Sequence, residues 1–166
     1  MKTLIFLMLS LGLTVTSLAN AAGMAVVDLA KVVESSTYLK QQNASLGQSV
    51  KPTSTRLEQL GKELETLQQR AQTEGPKMNQ ADIQKMTAQY QAKLNEFNST
   101  QQGLQTKVQS SLQAMNTTFE NRVKQAAEQL RKENNLDFIL NKNSTIASDA
   151  QYDLTDKMIQ KVNAMK

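Results

Sequence analysis

The chain has 166 residues, carries 19 Lys and Arg against 15 Asp and Glu, and contains neither Cys nor His. It therefore cannot form disulfides, use His- or Cys-based catalysis, or bind a metal through thiolate or imidazole ligands. Only 4% of its residues are aromatic and Gln is abundant, which suits elongated helices with narrow apolar stripes better than a compact globule. We predict no enzyme activity, no catalytic residue, no metal site, no cofactor and no nucleic-acid partner.

The first 21 residues have the three-part pattern of a secretory signal peptide. Met1-Lys2 is a positive n-region, Thr3–Leu18 is an apolar run, and Ala19-Asn20-Ala21 is a small-residue cleavage site. The alternative is an N-terminal membrane anchor, but the run is shorter than the roughly 20 residues that a span needs. We predict export and cleavage near Ala21, after which the loss of Lys2 leaves a mildly basic mature chain.

A short strand and a short helix are predicted next. Met24–Leu29 is β-branched and alternates in the manner of a strand, and Leu29–Ser35 carries its apolar residues on one helical face. The strand should therefore run directly into the helix.

Two long helices are predicted from about 38 to 74 and from about 79 to 134. The first has a Leu-rich heptad repeat that Pro52 interrupts, so we expect a kink there or a helix that restarts at the proline. The apolar stripe of the second repeats about every 3.6 residues, which is the period of a nearly straight helix. At about 1.5 Å per residue the two helices would reach roughly 55 and 80 Å.

Gly75-Pro76 separates the two helices, either as a linker between domains or as the tip of one hairpin. Each helix has a single apolar stripe and no core of its own, so the stripes need each other. Gly75 suits the C-cap of the first helix, and Asn79 can cap the second. We predict a hairpin with its tip at 73–79.

The end of the chain is predicted to return to β-structure. Leu136–Leu140 places Leu136, Phe138 and Leu140 on one face, and Ser144–Ser148, with Ile146, would pair with it as a β-hairpin. A final helix would follow, capped by Asp153 or Thr155. Asp28, Asp137 and Asp153 could form a carboxylate cluster, but turn and cap roles are the better interpretation.

The predicted fold is mostly α with a small β body, into which a long antiparallel helical hairpin is inserted. We call residues 22–37 and 135–166 the body and residues 38–134 the arm; residues 1–21 are the signal peptide. The body offers too few large apolar side chains for an independent core, so it should be an oligomerisation domain of a homo-oligomer.

The mature chain resembles the Skp/OmpH family of periplasmic chaperones. The matching features are Val26-Val27-Asp28 at its start, the long hairpin, Leu136-Asp-Phe-Ile-Leu140, and Asp153-Leu154-Thr155 opening the last helix. The resemblance implies a periplasmic homotrimer whose arms enclose a cavity that holds unfolded outer-membrane β-barrel proteins without ATP. The body residues that it implies are Val26, Val27, Leu136, Phe138, Leu140, Ile146, Leu154, Met158, Ile159 and Val162.

Client-binding candidates lie on the distal part of the arm. Arg70, Lys77 and Met78 are near the predicted tip and should be exposed. Met86, Tyr90 and Phe97 belong to the apolar stripe, so they serve either hairpin packing or client contact.

One departure from the family concerns charge. Arms of this family are often markedly basic, whereas basic and acidic residues almost balance between Arg56 and Lys93. No cluster is present onto which a lipopolysaccharide site could be carried over, so contact with lipopolysaccharide or a membrane surface is expected to be weak. The alternative function is a structural coiled-coil spacer or adaptor of the cell envelope, for which the β-rich ends have no evident use.

Overall fold

The computed structural model describes residues 23–165, so the predicted signal peptide and its cleavage site lie outside the described residues. The described residues form two short strands, β1 and β2, four α-helices, α1 to α4, and three one-turn 3₁₀ helices. Their bounds in chain order are β1 Met24–Val27, α1 Leu29–Ser35, α2 Thr37–Glu74, a 3₁₀ turn Gly75–Lys77, α3 Gln80–Glu133, β2 Phe138–Asn141, 3₁₀ turns Lys142–Ser144 and Ala150–Tyr152, and α4 Thr155–Ala164.

The strands β1 and β2 pair in parallel, with Met24 opposite Phe138 and Val26 opposite Leu140. The predicted β-hairpin is therefore wrong. The side chain of Asn141 accepts a hydrogen bond from the Asn143 backbone, which turns the chain away at the end of β2. The other edge of β1 is instead met by a single bridge between Val26 and Asp153. The long hairpin forms the crossover that a parallel strand pair requires.

The helices α2 and α3 form an antiparallel hairpin, as predicted. Lys107 Nζ lies 3.0 Å from the Ser49 carbonyl oxygen, and Lys93 Nζ lies 2.6 Å from Glu63 Oε2. In each pair the two residues are separated from the tip by a similar number of positions, as expected for two antiparallel helices. Pro52 lies inside a continuous α2, so the predicted restart of the helix at the proline is wrong.

The tip of the hairpin is short and capped. Gly75 is the C-cap of α2, but its φ of −48° is helical, so the left-handed freedom of glycine is not used there. The Asn79 side chain accepts a hydrogen bond from the Asp82 backbone N–H at 2.9 Å, which caps α3 as predicted. A hairpin tip, rather than a linker between domains, joins the two helices.

The apolar stripes face each other along the arm. Leu60 is fully buried at the middle of α2, while most other stripe residues are half-buried. Asn43, Gln101 and Leu112 also occupy stripe positions but are exposed. A two-helix hairpin has no third layer, so it can cover its stripe only in part.

The main core lies in the body, and the end of α3 contributes to it. Phe119, Ala126 and Leu130 of that helix are buried together with residues of β1, α1 and α4. Other buried members of this core are Ala25, Val27, Val32, Leu154, Met158 and Val162. The base of the arm thus supplies apolar volume that the sequence analysis did not assign to the body.

The two faces of β2 differ in burial within the described chain. Ile139 packs against the core, whereas Phe138 and Leu140 are exposed. Leu136 precedes the strand and is packed against the core. Ile146 lies in a loop with its side chain fully in solvent, so the predicted strand at Ser144–Ser148 is wrong.

Candidate functional site

The base of the arm is tied to the body by polar side chains. Asn163 of α4 accepts hydrogen bonds from the Thr37 backbone N–H at 2.9 Å and from its hydroxyl at 3.1 Å. Its amide nitrogen donates to the Ser35 carbonyl at 3.1 Å. The Arg122 guanidinium lies 4.1 Å from the centre of the Tyr38 ring. These contacts fix the direction in which α2 and α3 leave the body.

No sequence signal had marked the residues at this junction. One Asn in an amphipathic helix resembles any polar surface position, and the partners of Asn163 lie more than 120 residues away. Only the packing of α4 against α1 and α2 brings them together.

Of the three carboxylates, Asp28 has a cap role and Asp153 a turn role, whereas Asp137 links the start of β2 to the residue before β1. Asp28 caps α1 by accepting from the Lys31 backbone, and Asp137 accepts from the Gly23 backbone at 3.1 Å. Asp153 accepts from the Thr155 backbone at 2.9 Å. The N-cap of α4 is Leu154 without a side-chain hydrogen bond, so the predicted capping of this helix by Asp153 or Thr155 is wrong. Within residues 23–165 no three acidic side chains gather into a group that could hold a metal ion.

The Asp153 carboxylate is also held by a lysine. Lys142 Nζ lies 2.6 Å from Asp153 Oδ2, and this hydrogen bond, followed by those from Thr155, lowers the pKa of Asp153 to about 2. The same contact raises the pKa of Lys142. The pair joins the end of β2 to the start of α4, which makes it part of the frame of the body.

Halfway along the arm, four charged residues link α2 to α3. Arg56 hydrogen-bonds Glu96, with 2.9 Å between Nε and Oε1, and Lys93 approaches Glu63 to 2.6 Å. The close ammonium group of Lys93 is the largest cause of the lowered pKa of Glu63. The network lies close in sequence to the buried Leu60, so charge pairing and apolar packing fix the same helix register.

The six client-binding candidates fall into two separate groups. Arg70 and Lys77 are exposed near the tip, and Arg70 pairs with Glu74 at 3.0 Å. Met78 is half-buried at the end of the 3₁₀ turn. Only Arg70 and Lys77 of this group therefore match the expected exposure.

The second group, Met86, Tyr90 and Phe97, is half-buried on α3. Its members follow the same helical stripe as Lys93, which reaches across to Glu63 of α2. This placement favours hairpin packing for the three side chains. The structure does not bring all six candidates onto one outward surface.

An exposed apolar surface lies on the body, on the outer face of the sheet. Met24, Phe138, Leu140 and Tyr152 are each between 44% and 55% exposed, and Ile146 is fully exposed. A groove between β1 and the loop before α4 runs through this face, lined by Met24, Val26, Leu140, Ala147 and Tyr152 among others. We call Met24, Phe138, Leu140 and Tyr152 the outer sheet face.

No helix within residues 23–165 combines the length and the apolar character that crossing a membrane would require.

The chain belongs to the OmpH-like outer membrane protein family, whose model matches residues 23–162. The resemblance inferred from the short motifs and the order of elements is confirmed.

Two individual proteins illustrate the relationship. A Skp-like protein of Pseudomonas aeruginosa PAO1 is 22% identical over 142 residues, which cover 86% of this chain and 84% of that protein. The solved structure of a Caulobacter crescentus CB15 protein, assigned as an OmpH-like outer membrane chaperone, matches with a TM-score of 0.73 at 17% identity. That match covers 86% of this chain and 85% of the other, and it shows that the fold is shared.

Proposed function

We propose that this protein is a periplasmic holdase that binds unfolded outer-membrane β-barrel proteins and prevents their aggregation without ATP. The observation that carries the proposal is a long hairpin that buries only its own narrow stripe and leaves nearly all its remaining surface exposed. Membership of the OmpH-like family supports it, as does the likeness in fold to the Caulobacter crescentus protein assigned as an OmpH-like outer membrane chaperone. The periplasmic location rests on the signal-peptide pattern of residues 1–21.

A holdase needs reach and many weak contacts rather than a deep catalytic cleft. The 54 residues of α3 extend about 80 Å at 1.5 Å per residue. Several arms around one client would raise the effective concentration of each weak contact, so binding can be firm although no single contact is strong. Release then needs no nucleotide, because folding of the client removes the exposed segments.

The outer sheet face supports self-association, with three copies as the resemblance implies. Exposed Phe138 and Leu140 next to Met24 form an apolar patch that a second copy could cover. Phe138→Lys should dissociate the oligomer in sedimentation velocity, because it would bury a charge in the interface. The matched control is Leu112→Lys on the arm, which should leave the oligomer intact; equal behaviour of both variants would place the interface elsewhere.

Client contacts are proposed for Arg70, Lys77 and Met78 near the tip, with Met86, Tyr90 and Phe97 contributing where the hairpin leaves them uncovered. Their half-buried apolar atoms are adaptable rather than shape-specific, which suits clients of differing sequence.

The function is tested by diluting a urea-unfolded outer-membrane β-barrel protein into buffer with and without residues 22–166. ATP is omitted, and light scattering reports aggregation. Suppressed scattering at a small molar excess of the protein is the expected result. Unchanged scattering from a well-folded oligomer would contradict the holdase and favour a spacer or adaptor of the envelope.

A further inference from the structure

Charge is distributed unevenly along the arm. We call residues 40–55 of α2 and 98–117 of α3 the proximal arm, and residues 56–97, which include the tip, the distal arm. The distal arm holds six basic and six acidic side chains, several of them in the network around Glu63. The proximal arm has no carboxylate, and its only charges are Lys40, Lys51 and Lys107.

Primary amides take the place of charges on the proximal arm. Its exposed amide side chains are Gln41, Gln42, Asn43, Gln48, Asn98, Gln101, Gln102, Gln105, Gln109, Gln113 and Asn116.

None of these amide side chains makes a hydrogen bond to another group within residues 23–165. The distal arm also carries exposed amides. Two of its pairs are bonded, Gln91 to Asn95 at 3.1 Å and Gln69 to Glu65 at 3.4 Å, whereas others such as Gln68 and Gln84 make no such bond within residues 23–165. What distinguishes the proximal arm is that its free amides stand among only three charged side chains, while those of the distal arm stand among twelve.

An amide matches an unfolded backbone better than a charged side chain does. Each Gln or Asn offers two N–H donors and one acceptor oxygen, whereas a lysine only donates and a carboxylate only accepts. An extended client chain exposes both N–H and C=O groups along its whole length. Amides can pair with either group irrespective of the client's side chains, and binding them requires no desolvation of a full charge.

We infer that the proximal arm is the main client-holding surface, and that its free amides hydrogen-bond the backbone of an unfolded polypeptide. This inference rests on the proposed holdase function and assigns to it a surface and a mode of contact. The half-buried candidates Met86, Tyr90 and Phe97 of the distal arm then add only secondary client contacts beside their part in hairpin packing. Affinity should depend little on salt, because screening acts on charges and the proximal arm has few.

The test compares two variants with equal numbers of Gln→Ala substitutions. The proximal variant carries Gln41, Gln48, Gln105 and Gln109 changed to Ala, and the distal control carries Gln68, Gln72, Gln84 and Gln89 changed to Ala. All eight side chains are exposed, and Ala is a better helix former than Gln, so both hairpins should remain folded. Circular dichroism and sedimentation velocity check helix content and oligomeric state.

The measured quantity is the dissociation constant for a fluorescently labelled, unfolded outer-membrane β-barrel protein at 50 and 500 mM NaCl, by fluorescence anisotropy. Because the proximal variant loses several weak hydrogen bonds at once, its dissociation constant should rise at least about tenfold. The dissociation constant of the distal control should stay within about twofold of the wild-type value. The wild-type constant should change by less than about threefold between the two salt concentrations.

Equal affinity of the two variants, or loss of wild-type binding at high salt, would overturn the inference and leave the holdase function standing. Failure of the wild type to bind the client at either salt concentration would overturn both.

Discussion

Asn135 lies just after the end of α3 and has a left-handed backbone conformation, with a φ of 51°. It follows the C-cap residue Asn134, and its N–H donates to the Lys132 carbonyl at 3.3 Å. The next N–H, that of Leu136, donates to the Arg131 carbonyl at 2.9 Å. This pair of bonds is the Schellman motif, which satisfies carbonyls at the end of α3 and directs Leu136 towards the core.

Asn135→Ala should lower the free energy of unfolding by about 1 kcal/mol, because a Cβ-bearing residue without a short polar side chain disfavours the left-handed region. Asn135→Gly should keep the wild-type value or raise it slightly, since glycine adopts that conformation without strain. Urea unfolding followed by circular dichroism at one fixed protein concentration measures both. Equal destabilisation by Ala and Gly would contradict a backbone cause.

Because of Asp153, the stability of the body should decrease at acidic pH. Its hydrogen bonds with Lys142 and Thr155 lower its pKa from the ordinary 3.8 to about 2. Because the folded-state pKa is the lower one, this contribution is fully present above about pH 5 and is lost as the pH falls towards 2. Asp153→Asn should therefore lower the melting temperature at pH 7, and its difference from the wild type should shrink between pH 5 and 2.

The matched control is Asp156→Asn. The carboxylate of Asp156 lies in the same region, is exposed and makes no ion pair within residues 23–165. Its melting temperature should stay closer to the wild type at pH 7. A difference between wild type and Asp153→Asn that does not change down to pH 2 would contradict the proposed pairing.

Within the arm, truncation of a buried leucine should cost more unfolding free energy than truncation of an exposed one. Leu60 is fully buried between α2 and α3, and Leu112 is 39% exposed on the stripe of α3. Leu60→Ala should cost about 3 kcal/mol of unfolding free energy through lost burial and the cavity left behind. Leu112→Ala should cost about 1 kcal/mol or less, because part of its surface is already in water. Similar costs in urea unfolding would mean that the hairpin is not packed as described.

Pro52 weakens the helix in which it lies. Proline cannot donate the hydrogen bond to residue 48 and crowds the preceding turn, at a cost of about 3 kcal/mol in a helix interior. Lys107 donates to the neighbouring Ser49 carbonyl from α3. Pro52→Ala should stabilise the arm by about 2 kcal/mol after the greater freedom of its unfolded chain is allowed for.

The control for Pro52→Ala is Lys51→Ala, an exposed neighbour that should change the unfolding free energy by less than about 0.5 kcal/mol. Destabilisation by Pro52→Ala would contradict this account.

The elements of the arm could be predicted from the sequence, whereas the pairing of the short strands could not. The stripes of α2 and α3 run over many turns, so their period identifies the helices and their shared face. The strand β2 has only four residues, and alternation alone cannot tell which face lies inward. Its register with β1 is set across more than 110 residues, and that register turns Ile139 rather than Phe138 towards the core.

At the scale of the whole molecule, rigid and adaptable parts are separated. The body is packed around α4 and the base of α3, and its polar contacts at Asn163 fix the direction of the arm. The distal arm is held by Leu60 and its charge network, and the proximal arm between them offers uncharged polar groups. Such a division would allow several arms to surround a client while the body holds them together.

The most direct test of this account is native mass spectrometry of residues 22–166 mixed with an unfolded outer-membrane β-barrel protein, without ATP. The account predicts a complex of three copies with one client, beside free trimer. A trimer that shows no client-bound mass, under conditions where the client aggregates, would contradict the central claim that the arms hold unfolded chains.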